Sequence, residues 1–269
     1  MTQPKNTYLF ARGRSFPELE SLEVDELKGL LGGKGYGLYV LTCVLGLRCP
    51  AVLNLPTFHA HSLVEGKLPA ALVGEIEVGL AELEQVTGKR FGDPANPLLV
   101  SARSGAKFSM PGMLDSILNL GLNDALVASL ATGEAARFWL DSYRRLLQMY
   151  ADVVFQLKGP DGEDPFERAL ADLKVEVGAG SDLELGPDQL RELIKRFQRI
   201  YAEFEVTFPQ TPAEQVLRSA EAVFRSWNNE RAIFTREQDG IPHDLGTAVN
   251  LQEMVFGNKS PRCASGCRR

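Results

Sequence analysis

The chain is 269 residues long, 44% hydrophobic and 24% charged, with 35 acidic against 29 basic side chains and a formal net charge of −6. That length supports one large domain or two modest ones around a real core, and the acidic balance excludes a global attraction to nucleic acid or anionic lipid. No apolar run reaches the roughly 18 residues of a membrane span, and the first 14 residues lack the apolar centre of a secretory signal, so the cytoplasm is the expected compartment.

Residues 8–11 read as a short strand. Residues 25–31 read as one or two helical turns that break at Gly32-Gly33, and the spacing of Leu38, Leu41 and Leu45 predicts a helix over 35–47. Residues 69–86 form a second amphipathic helix, with Leu72, Ile76, Leu80 and Leu83 on one side. Leu98-Leu99-Val100, bounded by Pro97 and leading to Arg103, is the pattern of a buried strand. The stretch 104–113 holds small residues, glycines and a proline, a composition that excludes regular structure, and a strand resumes over 117–121.

From Asn123 to Ser226 the pattern is almost wholly helical: Phe138, Leu140, Tyr143, Leu147, Tyr150 and Val154 fall near a 3.6 period, as do Leu190, Ile194, Phe197 and Tyr201. Loops rich in Gly and Asp interrupt it at 158–164 and 178–186, and residues 247–257 return to strand character. The fold class is therefore α+β, divided into a first subdomain (1–122), a helical insertion (123–226) and a return to the first subdomain (227–258), followed by a tail (259–269).

Four cysteines, Cys43, Cys49, Cys263 and Cys267, are too few for a disulfide scaffold, and neither pair has the two-residue gap of a zinc knuckle. His59 and His61 have the spacing that aims two side chains from one strand face, but a metal needs three or four ligands, so both read as surface histidines and no metal site is assigned. Two other segments carry chemistry. Gly32-Gly33-Lys34-Gly35 stands at a helix start, where backbone amides and a fixed cation meet the needs of a phosphate; Tyr36 keeps it from being a Walker A sequence. Arg103 leads from the strand into the glycine-rich stretch, with Lys107 four residues on, which suits a lid over an anion as well as it suits an arginine paired with Asp115 and methionines filling the core.

Leu31-Gly32-Gly33-Lys34-Gly35, the long run 99–124 (LVSARSGAKFSMPGMLDSILNLGLND), Asp141-Ser142-Tyr143-Arg144-Arg145, Gly246-Thr247-Ala248-Val249-Asn250-Leu251-Gln252 and Met254-Val255-Phe256-Gly257-Asn258 together resemble the nucleotide-binding domain of the pyruvate, phosphate dikinase family. The resemblance covers nearly the whole chain. It implies an ATP-grasp-like fold with ATP between two lobes, and a family reaction that turns ATP, phosphate and pyruvate into AMP, pyrophosphate and phosphoenolpyruvate. By position it implies that Lys34 and Arg103 bind ATP phosphates, that Gly105, Lys107 and Gly112 belong to the loop over the triphosphate, and that Gln252 and Glu253 border the adenine. It names ATP as ligand and Mg²⁺ as the family's metal, with the metal's carboxylate ligands missing here and no catalytic residue assigned.

The sequence departs from the family pattern over 46–58 and again after Asn258, where the C-terminal lobe is expected to be incomplete. The phosphohistidine and pyruvate-binding domains are expected to be missing too, so the full reaction would require downstream dikinase domains as partners if they are encoded separately. The alternative is a non-catalytic remnant or binding protein that keeps the domain surface.

Overall fold

The computed structural model describes residues 5–257. Strands β1 (Tyr8–Phe10), β2 (Val52–Leu55), β3 (Val100–Ala106), β4 (Ser116–Leu120) and β5 (Thr247–Glu253) make one sheet in the order β1-β2-β5-β3-β4, antiparallel at every joint. The helices among the described residues are α1 (Pro17–Glu20), α2 (Val24–Tyr39), α3 (Ala70–Thr87), α4 (Asp124–Leu130), α5 (Ala136–Tyr150), α6 (Pro165–Val177), α7 (Pro187–Glu203), α8 (Pro212–Ser226) and α9 (Glu230–Asp239).

Strand alternation gives the sheet two unlike faces, because directly paired residues share a side and successive residues oppose one another. The pairs Tyr8↔Asn54, Phe10↔Val52, Asn54↔Asn250, Val52↔Gln252, Arg103↔Asn250 and Gly105↔Ala248 put these residues on one side. Leu9, Leu53, Leu55, Val249, Leu251 and Ala102 lie on the other.

The first side takes α1 and α2, with α2 lying across β2, β5 and β3. There Tyr8, Phe10, Phe16 and Tyr39 interlock with ring centroids 5.6 to 6.4 Å apart, mostly edge to face. The second side takes α3, α5 and α8, with α7 against α5 and α6 against α7. One continuous cluster of buried apolar side chains runs from Leu9 and Leu53 through the helices to Val249 and Leu251, so helices 124–226 share their core with the sheet. The local sequence explains the stops and starts. Asp164 accepts from the amides of Phe166 (2.8 Å) and Glu167 (3.2 Å) at the head of α6, with Pro165 as its first residue, and Asn123 caps α4 through the amide of Leu126 (2.8 Å).

The helical spacing at 69–86, 138–150 and 190–201 marks the buried stripes of α3, α5 and α7, apart from the half-buried Phe138. Four expectations change. Strand β3 does not stop near Arg103 but runs on to Ala106, held by β5 along its whole length, so Gly105 is a strand residue and the irregular loop begins at Lys107. Beyond Tyr39, α2 widens into a π-turn (Val40–Val44), and Leu41, Val44, Leu45 and Leu47 are exposed, because at that point the helix has run past the aromatic cluster it rests on. Helix α9 has no counterpart in the sequence reading, as only Ala232 and Arg236 of it are buried and no apolar stripe announces it. His59 and His61 sit in a 3₁₀ turn (Thr57–His61), not a strand, and His59 is buried, its Nε2 donating to the Asn6 carbonyl at 2.9 Å. Among the described residues no cluster of three or more His, Cys, Asp or Glu side chains suits a metal, and no helix is long and apolar enough to cross a membrane. The expected tail, 259–269, and Cys263 and Cys267 lie outside the described residues.

Candidate functional site

The site begins with a break in α2. Gly32 has φ 72° and ψ 160°, open to glycine alone, and a Cβ there would lie 1.6 Å from the Gly105 carbonyl oxygen. The backbones of helix and strand therefore touch, and a second stretch of helix starts at Gly33. The break strands the Leu31 carbonyl inside the protein. Asn54, fully buried, donates to it at 3.0 Å and with the same amide nitrogen to Asn250 Oδ1 at 2.9 Å, so a buried asparagine pair on the sheet fixes where the helix restarts. Asn54 Oδ1 and Asn250 Nδ2 have no partner among the described residues.

From this restart Lys34 reaches along the sheet, exposed, and its Nζ donates to the Ser104 carbonyl at 2.8 Å. Arg103, the neighbour of Ser104, lies on the α2 side with Gly105. Its Nη1 donates to Gln252 Oε1 at 3.0 Å, which joins β3 to β5 across the open part of that face. A flap, residues 107–115, then crosses in front. Its far end is fixed: Asp115 accepts from Arg231 and from Asn229 Nδ2 (3.3 Å), its amide donates to Ser226 Oγ (3.4 Å), and Arg231 Nε donates to the Met113 carbonyl (3.2 Å). Burial pushes the Asp115 carboxyl above its ordinary pKa, against the opposing pull of Arg231. Gly112, at φ 75° with open space around it, marks the turn of the flap.

Between α2 and the flap lies a cavity of about 560 Å³ lined by Lys28, Gly33, Lys34, Gly105, Lys107 and Gly112, among others. Its walls carry three ammonium groups. Lys28 Nζ lies 5.6 Å from the Tyr36 ring centre, and Lys107 Nζ pairs with Asp25 at 2.6 Å. Cations, the start of a helix and a glycine floor form a concave site for a polyanion. A larger depression, about 650 Å³ between α3 and α8, has charges of both signs that satisfy one another, as in Arg218–Glu214 at 2.6 Å, and offers no such bias.

Of the residues singled out in the sequence, Lys34, Gly105, Lys107 and Gly112 line this cavity, and Arg103 and Gln252 bond to each other on the same sheet face beside it. Glu253 does not join them. As the next residue along the strand it faces the other way, and its carboxylate holds Lys89 at 2.6 Å and accepts from the Ala51 amide at 3.3 Å. Asp115 is the partner of Arg231 rather than of Arg103, and Met110 is buried as a filler while Met113 is only half-buried. Sequence reasoning missed Lys28 and the Asn54–Asn250 pair. Lysines six residues apart on either side of a glycine break were a readable signal for the first; nothing short of the strand pairing reveals the second.

Comparison with known proteins places the chain beside one group. The family profile described as "Pyruvate phosphate dikinase, AMP/ATP-binding domain" matches residues 59–268. A pyruvate, phosphate dikinase of Clostridium symbiosum is 43% identical over 246 residues, which is 89% of this chain and 28% of that protein. One of Rhizobium meliloti is 42% identical, covering 97% of this chain and 28% of the relative. A chloroplastic one of Mesembryanthemum crystallinum is 41% identical, covering 98% and 27%. All three carry the likeness into the segment before residue 59, where Lys34 lies. The chain thus spans little more than a quarter of the length of the relatives it matches.

Proposed function

The chain belongs to the pyruvate, phosphate dikinase family, in its AMP/ATP-binding part, and from that premise we propose that the cavity between α2 and the flap holds the phosphates of ATP. The sheet with α2 laid on it is then one wall of an ATP-grasp-like cleft, and the flap is its cover. Lys34 and Arg103 supply positive charge from the helix restart and from the strand, and Lys107 supplies it from the flap. Such groups, fixed before the ligand arrives, lower the cost of holding and transferring a phosphoryl group by position and electrostatics. Gln252 orients Arg103 and borders the nucleotide, whereas Glu253 is left out of the site because it already holds Lys89.

The observation that carries this reading is the contact of Gly32 with Gly105. It brings a helix start and its lysine onto the strand that bears the arginine. The cavity lining offers ammonium groups, amides and hydroxyls but no group of carboxylates, so these residues do not fit Mg²⁺ as direct ligands. The role proposed is the nucleotide-holding share of a dikinase reaction in the cytoplasm. Turnover of pyruvate and phosphate is assigned to residues that the longer relatives carry beyond this stretch.

Calorimetric titration of the chain with ATP tests the reading. Lys34→Ala and Arg103→Ala should each weaken binding about 10- to 100-fold, the value of one charge-assisted hydrogen bond set at roughly 1.5–3 kcal/mol. Unchanged affinity in both variants, with unfolding curves intact, would overturn it.

A further inference from the structure

Lys107 and Asp25 form an ion pair whose two halves are unequally placed. The lysine side chain is only 17% exposed, tucked at the base of the flap with Nζ 5.7 Å from the Phe108 ring centre, whereas the Asp25 side chain is 81% exposed in the first turn of α2. Parting them returns the carboxylate to water at little cost but leaves a shielded ammonium in need of another anion. A carboxylate oxygen at 2.6 Å offers an ammonium much what a phosphate oxygen offers. The first-turn position also suits an anion, because the positive end of the helix dipole lies there. Lys28, one turn on from Asp25, lies on the cavity wall, so the way from Lys34 to Lys107 is lined with positive charge and ends at the aspartate.

We propose that Asp25 is a resident stand-in for the far end of a phosphate chain: it holds Lys107 until a ligand with enough phosphates reaches the flap and displaces it. Asp25 and Lys107 are then the selectivity pair of the cavity, which set a threshold that a triphosphate passes and a monophosphate does not. This rests on the phosphate-binding reading above.

The test uses the whole chain with inorganic tripolyphosphate, ATP and AMP as probes. Asp25→Asn should tighten tripolyphosphate and ATP about 3- to 5-fold, the scale of a partly exposed ion pair, and leave AMP unchanged. Lys107→Met should weaken the two long anions, and adding Asp25→Asn to it should bring no gain. Loss or constancy of tripolyphosphate affinity in Asp25→Asn overturns the proposal, as does a gain that persists without Lys107 or one that extends equally to AMP. If ATP binds and Lys34→Ala weakens it while Asp25→Asn is neutral, the stand-in fails and the nucleotide site survives; if the unmodified chain binds no ATP, both fall.

Discussion

The two faces of the sheet are built from the same strands and do opposite work. On β5, Val249 and Leu251 enter the apolar core beneath α8, while Asn250 and Gln252, one residue away in each case, hold the helix restart and the arginine. The apolar face closes completely and gains its stability from area removed from water, about 1.5–3 kcal/mol for each large side chain. The polar face is covered by α1 and α2, with α2 reaching β5 and β3, and stays open around Arg103 and the exposed Leu118 of β4. Stability and ligand chemistry are thus separated by side-chain direction rather than by distance along the chain.

The comparison can be broken most sharply at adjacent residues. Leu251→Ala should cost about 2–5 kcal/mol in urea unfolding, through lost burial and the cavity left behind. Gln252→Ala should stay within about 0.5 kcal/mol of the parent in the same assay yet weaken ATP by releasing Arg103. Equal destabilisation by both would show that the faces are not separate. Gly32→Ala comes next. Strained backbone at that φ costs about 1–3 kcal/mol, and the added Cβ must also displace the Gly105 carbonyl, so ATP binding should vanish in calorimetry before the fold is lost. An alanine at 32 that binds ATP normally would remove the helix–strand contact from the site.

The smallest effect belongs to the closed side. Burial among apolar neighbours lowers the pKa of His59 below 6.5, outweighing the Asn6 carbonyl that favours its charged form. The unfolded chain therefore takes up the proton first as pH falls, and stability should decline from pH 6.5 toward the lower folded value. His59→Gln should flatten that part of a pH–stability curve; an unchanged slope would assign it to other groups.

Much of this was readable in advance, and the misses have physical causes. Helices α3, α5 and α7 showed themselves because each buries one stripe and period alone defines a stripe. The reach of β3 through Ser104-Gly105-Ala106 was hidden, since local composition there argues for a loop and only pairing with β5, distant in sequence, makes it a strand. Leu41 and Leu45 kept helical period without burial, because period reports a face and not whether anything covers it. The cations Lys34, Arg103 and Lys107 were legible as residue types beside glycine, whereas Gln252 and Glu253 came together from the family resemblance, which does not tell apart the two faces that successive strand residues take.

The central place of β5 has a consequence for how this molecule is made. It is the last strand of the described residues, yet it sits between β2 and β3, so until β5 has emerged from the ribosome the sheet can form only as two unconnected antiparallel pairs, β1 with β2 and β3 with β4. The nascent helices meanwhile have no finished floor to settle on. Assembly must wait for a late, long-range closure, which makes slow folding and dependence on chaperones the natural expectation for a chain of this topology.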